Sequence, residues 1–84
     1  MPELSRFYGM VLKMFYRDKE HNPPHIHVIY NDKIGLMDIQ TFEMIEGDLP
    51  PDGLRLVKKW MQLHQAELLE IWNTQKFIKI PPLD

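Results

Sequence analysis

Residues 47–73, "GDLPPDGLRLVKKWMQLHQAELLEIWN", hold the change of register on which the fold turns. The opening "GDLPPDG" is a stop followed by a start. Pro51 suits a first helical turn, because its missing N–H is one a helix leaves unpaired there anyway, and Asp52 sets a carboxylate at the positive end of the helix dipole. From Leu54 onward, Leu54, Val57, Met61, His64, Leu68 and Ile71 recur at alternating steps of three and four, which is one face of a helix. Leu56, Trp60, Leu63 and Leu69 or Trp72 widen the stripe. The spacing predicts a helix over about 51–73, roughly 34 Å long at 1.5 Å per residue. A helix of that length can cross a four-stranded sheet and cover its apolar face.

The sheet it would cover is written upstream, over about residues 7–46. "FYGMVLKMFY" (7–16) is β-branched, aromatic and Met-rich, and its alternation sets Tyr8, Met10, Leu12, Met14 and Tyr16 on one face of a first strand. "RDKEHNPP" (17–24) is a polar loop, closed by two prolines that cannot donate to a ladder. "HIHVIY" (25–30) reads as a second strand, with Ile26, Val28 and Tyr30 opposite His25, His27 and Ile29. Asn31-Asp32 then turns the chain into "KIGLMDI" (33–39), and "TFEMIE" (41–46) forms a fourth strand. The connections are too short for parallel crossovers, so the strands form an antiparallel meander. The tail "KFIKIPPLD" predicts one more short strand over about 76–80, stopped by Pro81-Pro82. The expected architecture is α+β: about four meandering strands with one long C-terminal helix packed across them and a short tail strand, in a single domain over 1–84.

Composition narrows the function classes. The chain has 84 residues, 10 Lys and Arg against 12 Asp and Glu, and no cysteine. Its cations are scattered, Lys58-Lys59 being the one adjacent pair, whereas nucleic-acid footprints are basic stripes. Disulfides and thiolate metal sites are excluded. No apolar run approaches the 18 or so residues of a membrane span, and the N-terminus lacks a signal-peptide core, so a cytoplasmic protein with no membrane partner is expected. A chain this short buries only about two-thirds of its unfolded surface, and an open sheet edge invites pairing. Association is therefore expected, as a homo-oligomer or as a heteromer with a small partner protein.

Chemistry concentrates in "DKEHNPPHIHVIY" (18–30), which carries three of the four histidines. His25 and His27 project from one strand face with Cα atoms about 6.6 Å apart at ~3.3 Å per residue. Two imidazoles so placed can share a divalent ion such as zinc, with Zn–N bonds of about 2.0–2.1 Å. A third ligand would come from His21, Asp18 or Glu20, or from His64 across the core, giving His21, His25 and His27 as candidate metal ligands. The plainer alternative is a pair of half-exposed histidines bonded to backbone carbonyls beside a proline turn. His64 stands in the helix stripe where Leu or Met belongs, so it is either a neutral core histidine with a hydrogen-bond partner or a member of a site with His25 or His27. Those three are the candidate catalytic residues. Trp60 and Trp72, at helical spacing beside Leu and Met, read as core. Phosphate loops, nucleophile elbows and Ser-His-Asp orders are absent from the sequence.

"FYGMVLKMFYRDKEHNPPHIHVIY" followed by "GDLPPDGLRLVKKWMQLHQAELLEIW" resembles a family of small bacterial proteins catalogued as a domain of unknown function. The shared pattern is an F-Y-G strand, an H-x-P-P-H-x-H segment, a G-x-L-P turn and a helix carrying W-x-x-x-H. It extends from Phe7 to Trp72 and includes His21, His25, His27, Trp60 and His64. Genes of the family often lie beside that of a second small protein, as in toxin–antitoxin pairs. The resemblance therefore implies a protein-binding component of a toxin–antitoxin-like two-gene module. A metal- or histidine-dependent hydrolase, acting on RNA as many toxins do, is the alternative from another class. A DNA-binding autoregulator is the third, and the lack of a basic patch and of a helix-turn-helix counts against it.

Overall fold

The computed structural model describes residues 3–14 and 23–83. Five strands, β1 (Glu3–Phe7), β2 (Met10–Lys13), β3 (His25–Tyr30), β4 (Lys33–Asp38) and β5 (Met44–Gly47), precede one helix, α1 (Pro51–Thr74). The strands pair in chain order, each antiparallel to the next. The architecture is the expected α+β meander with a long C-terminal helix, but with five strands rather than four.

The extra strand comes from the stretch read as one strand over 7–16. Tyr8 and Gly9 both take positive φ, 49° and 78°. Left-handed conformation at both central residues makes a two-residue hairpin turn whose twist matches that of the flanking strands. Phe7 therefore ends β1 and pairs with Met10 at the start of β2. Tyr8 leaves the apolar face for the turn, where it is 56% exposed. Met10, Leu12 and Met14 keep their expected common face and are fully buried; Tyr16 lies outside the described residues. Asn31, at φ 55°, makes the second tight turn where the sequence placed it.

The fourth strand expected over 41–46 starts later, at Met44. Asp38 explains the delay. Its carboxylate accepts the backbone N–H groups of Gln40 at 2.7 Å and Thr41 at 3.1 Å, which holds residues 38–41 in a turn. Phe42 then passes through the left-handed region at φ 64° before pairing resumes. Gly47 has φ 96°, and a Cβ there would run into the Ile34 carbonyl oxygen, so only glycine fits.

Helix α1 begins at Pro51 without a side-chain cap and ends at Gln75, whose left-handed backbone (φ 59°) returns its N–H to the Ile71 carbonyl. It lies on the Ile26/Val28 face of the sheet. Gly53 packs against Met10 and Tyr30, and the Trp60 ring sits 5.8 Å from that of Phe7. Val57, Trp60, Met61, Leu68, Ile71 and Trp72 are buried with Leu4, Leu12, Ile26, Val28, Met37 and Ile39 in one core. Leu63, counted in the widened stripe, is instead 65% exposed. The helix is interrupted beside it: His64 takes φ −122° and ψ 19°, so ideal helical phase does not carry across that residue.

The tail strand expected over 76–80 does not form. The segment is tied to the sheet by the Ile80 N–H, which donates to the Leu4 carbonyl at 2.8 Å. Pro81 and Pro82 supply no further donors, and the Trp60 indole N–H takes the Pro81 carbonyl at 2.9 Å, so a ladder cannot extend. No described helix is long and apolar enough to cross a membrane.

Candidate functional site

Because the helix covers the Ile26/Val28 face, His25 and His27 stand on the opposite one. Strand register fills in the rest of that surface. His27 lies between Lys13 and Leu36, Ile29 between Val11 and Ile34, and Leu36 beside Glu46. The ladder of β4 and β5 slips between Leu36 and Met37, and Ile45 comes to the same side. Pro23, His25, Leu36, Ile45 and Glu46 line a shallow groove of about 90 Å³ there. Ile34 and Ile45 are 51% and 47% exposed. Lys33 and Asp48 form an ion pair at 3.0 Å.

The two histidines are brought together as their spacing predicts. Their ring centres are 5.4 Å apart and the planes are tilted by 55°. His25 Nδ1 lies 2.9 Å from the Pro23 carbonyl oxygen. That oxygen can only accept, so Nδ1 carries the hydrogen and Nε2 keeps the lone pair. His27 is half-buried and its Nδ1 is shielded from solvent. Burial, then the neighbouring His25, lowers its pKa from 6.5 to about 4, so the ring is neutral at ordinary pH.

Trp72 is the site neighbour that sequence reasoning assigned to the core alone. It is largely buried, yet its ring centre lies 5.2 Å from that of His25. Trp72 lies on the part of the helix that follows the interruption at His64, and it brings that part against a residue of the other face. No local pattern signals such a contact.

His64 sits at the margin of the core with its side chain 17% exposed. Nδ1 meets Glu67 Oε1 at 2.8 Å on its own helix, and its ring packs 5.4 Å from that of Trp60. It thus has the hydrogen-bond partner that the core reading asks for, supplied from its own helix. Asp18, Glu20 and His21 lie outside the described residues. Among the described residues, no group of three His, Cys, Asp or Glu is arranged to hold a metal ion.

The family described as Domain of unknown function (DUF4160) matches residues 9–73, and the chain belongs to it. The matched span runs from the first turn through the histidine pair to the last turn of the helix. Neither the curated proteins nor the solved structures contain a match to the chain.

Proposed function

We propose that this chain is the protein-binding component of a toxin–antitoxin-like two-gene module, and that it docks a small protein encoded nearby on the uncovered face of its sheet. The observation that carries the reading is the β4–β5 side of that face. Ile34 and Ile45 lie in the open there, beside the Leu36 groove, while the helix occupies the other face. An apolar centre edged by Glu46 and His25 has the make-up of a partner surface, apolar within and polar at the rim. The groove favours docking over enclosure of a substrate, since small-molecule pockets start near 300 Å³ and this one is about 90 Å³. β5 is also a terminal strand of the sheet, able to take an added strand from a partner.

Co-expression of the tagged chain with the product of the adjacent gene tests the reading. A stoichiometric complex is expected, with Ile34→Glu and Ile45→Glu each abolishing co-purification while the free chain keeps its melting temperature. A neighbour that fails to co-purify, or one that binds both variants as well as the wild type, overturns it. Sedimentation of the chain alone would reveal the other expected association, a dimer of this chain through the same surface.

A further inference from the structure

We infer that residues 75–83 form an exchangeable segment, and that two copies of this chain dimerise by each seating that segment on the other. The seat lies between β1, a terminal strand of the sheet, and Trp60. The Ile80 side chain is 3% exposed there, and its N–H donates to the Leu4 carbonyl. The Trp60 indole N–H donates to the Pro81 carbonyl, and Lys79 Nζ stands 3.9 Å from Glu3 Oε2. Phe77 and Leu83 pack on the same core, while Ile78 is 59% exposed. Anchors at every third residue match the period of a polyproline II segment. Grooves that read such segments are lined by aromatic rings, as this one is by Trp60. None of these contacts depends on which copy supplies the segment.

The connection to the helix supplies the reason to exchange. α1 ends at Thr74, and only Gln75 to Lys79 separate it from the seated Ile80. Within that span the chain turns back, because Pro81 meets Trp60, which precedes the interruption at His64. The reversal begins at Gln75, whose φ of 59° crowds the Cβ of any residue but glycine. Opening the connection relieves that crowding, and the same contacts re-form on a second copy. Short hinges under strain favour exchange for this reason. Reciprocal exchange has two-fold symmetry, so association stops at a dimer with both β1 edges covered. The dimer makes no use of Ile34 or Ile45, so it stands or falls apart from the docking proposal.

The test uses full chains, each carrying one engineered cysteine, since the sequence has none of its own. Chains with Glu3→Cys are mixed with chains with Lys79→Cys, concentrated, and treated with a short bis-maleimide. A covalent heterodimer is expected, its yield rising with protein concentration. The yield should exceed several-fold that from Asp32→Cys mixed with Lys79→Cys, because strand register sets Asp32 at the opposite end of the sheet from Glu3. Adding Gln75→Gly to both chains removes the crowding at the hinge and should lower the heterodimer yield several-fold. Adding Ile34→Glu or Ile45→Glu should leave it unchanged. A heterodimer yield at the Asp32→Cys level overturns the proposal, as does cross-linking confined within single chains of the Glu3→Cys/Lys79→Cys double variant. So does a yield that Gln75→Gly leaves as it was, or one that Ile34→Glu abolishes.

Discussion

Acid should weaken this fold through His27, within a window that the ring's two environments define. In the folded chain burial, followed by the nearby His25, holds its pKa to about 4, against an ordinary value of 6.5. Between those values the unfolded chain binds a proton that the folded chain does not, so stability rises with pH. The contribution is complete above about pH 6.5 and is lost as pH falls toward 4. At 1.36 kcal/mol for each tenfold change, the ceiling is about 3.4 kcal/mol. The ring is only half-buried on the uncovered face, and solvent screening brings the expected figure down to about 1–2 kcal/mol. Urea unfolding of the wild type and His27→Gln, run side by side in EDTA at about pH 7.5, 5.5 and 4.5, measures the difference directly. Groups that do not interact with His27 contribute equally to both proteins and cancel. The wild type should lose about 1–2 kcal/mol more than the variant across that range. Parallel stability curves, or a His27 ring that titrates near pH 6.5 by NMR, would refute the burial argument.

Three further substitutions probe the frame around the site. Gly47→Ala forces a side chain into the left-handed region and against the Ile34 carbonyl, so a loss of about 2–4 kcal/mol is expected by chemical denaturation. Trp60→Phe removes a fully buried indole and its bond to the Pro81 carbonyl. It should cost about 2–4 kcal/mol and quicken proteolysis within residues 75–83, whereas cleavage at the wild-type rate would show that the bond does not hold the tail. His64→Gln and His64→Leu should both stay within about 1 kcal/mol of the wild type in thermal melts, because the partner lost is a carboxylate on the same helix at the edge of solvent.

What the sequence revealed and what it hid follow from the range of each signal. Period-two alternation is local and strong, so β3, its Asn31 turn, β4 and the shared face of His25 and His27 were legible. So was the helix, because Pro51 marks its start and Leu54, Val57 and Met61 before His64, and Leu68 and Ile71 after it, recur at helical steps. The hairpin at Tyr8-Gly9 was hidden for a specific reason. The two-residue turn moves Phe7 to the same face as Met10, but Met10, Leu12 and Met14 all follow it and face the core whether one strand or two is drawn, and tyrosine is an unusual residue at positive φ. The displaced start of β5 depends on the Asp38 carboxylate capturing two backbone donors, a choice between competing hydrogen bonds that alternation cannot record. The interruption at His64 was hidden because a periodic pattern assumes an unbroken helix, and the helix departs from regular geometry at that residue. The groove beside His25 needs a register slip in β5, and the Trp72 contact joins residues 47 apart in the chain. Both are products of assembly.

The pairing of each strand with its neighbours in the chain bears on how quickly the molecule can fold. All four ladders close short stretches of chain, and two of them need only a two-residue turn. Loop-closure entropy is small for such steps, so the search for native pairings stays local through most of the sheet. The late and distant contacts are those of α1 on the finished sheet and of Ile80 with Leu4. Refolding should therefore reach the millisecond range typical of mixed two-state domains. Substitutions at the two tight turns should slow folding, while those in the tail should act mainly by speeding unfolding.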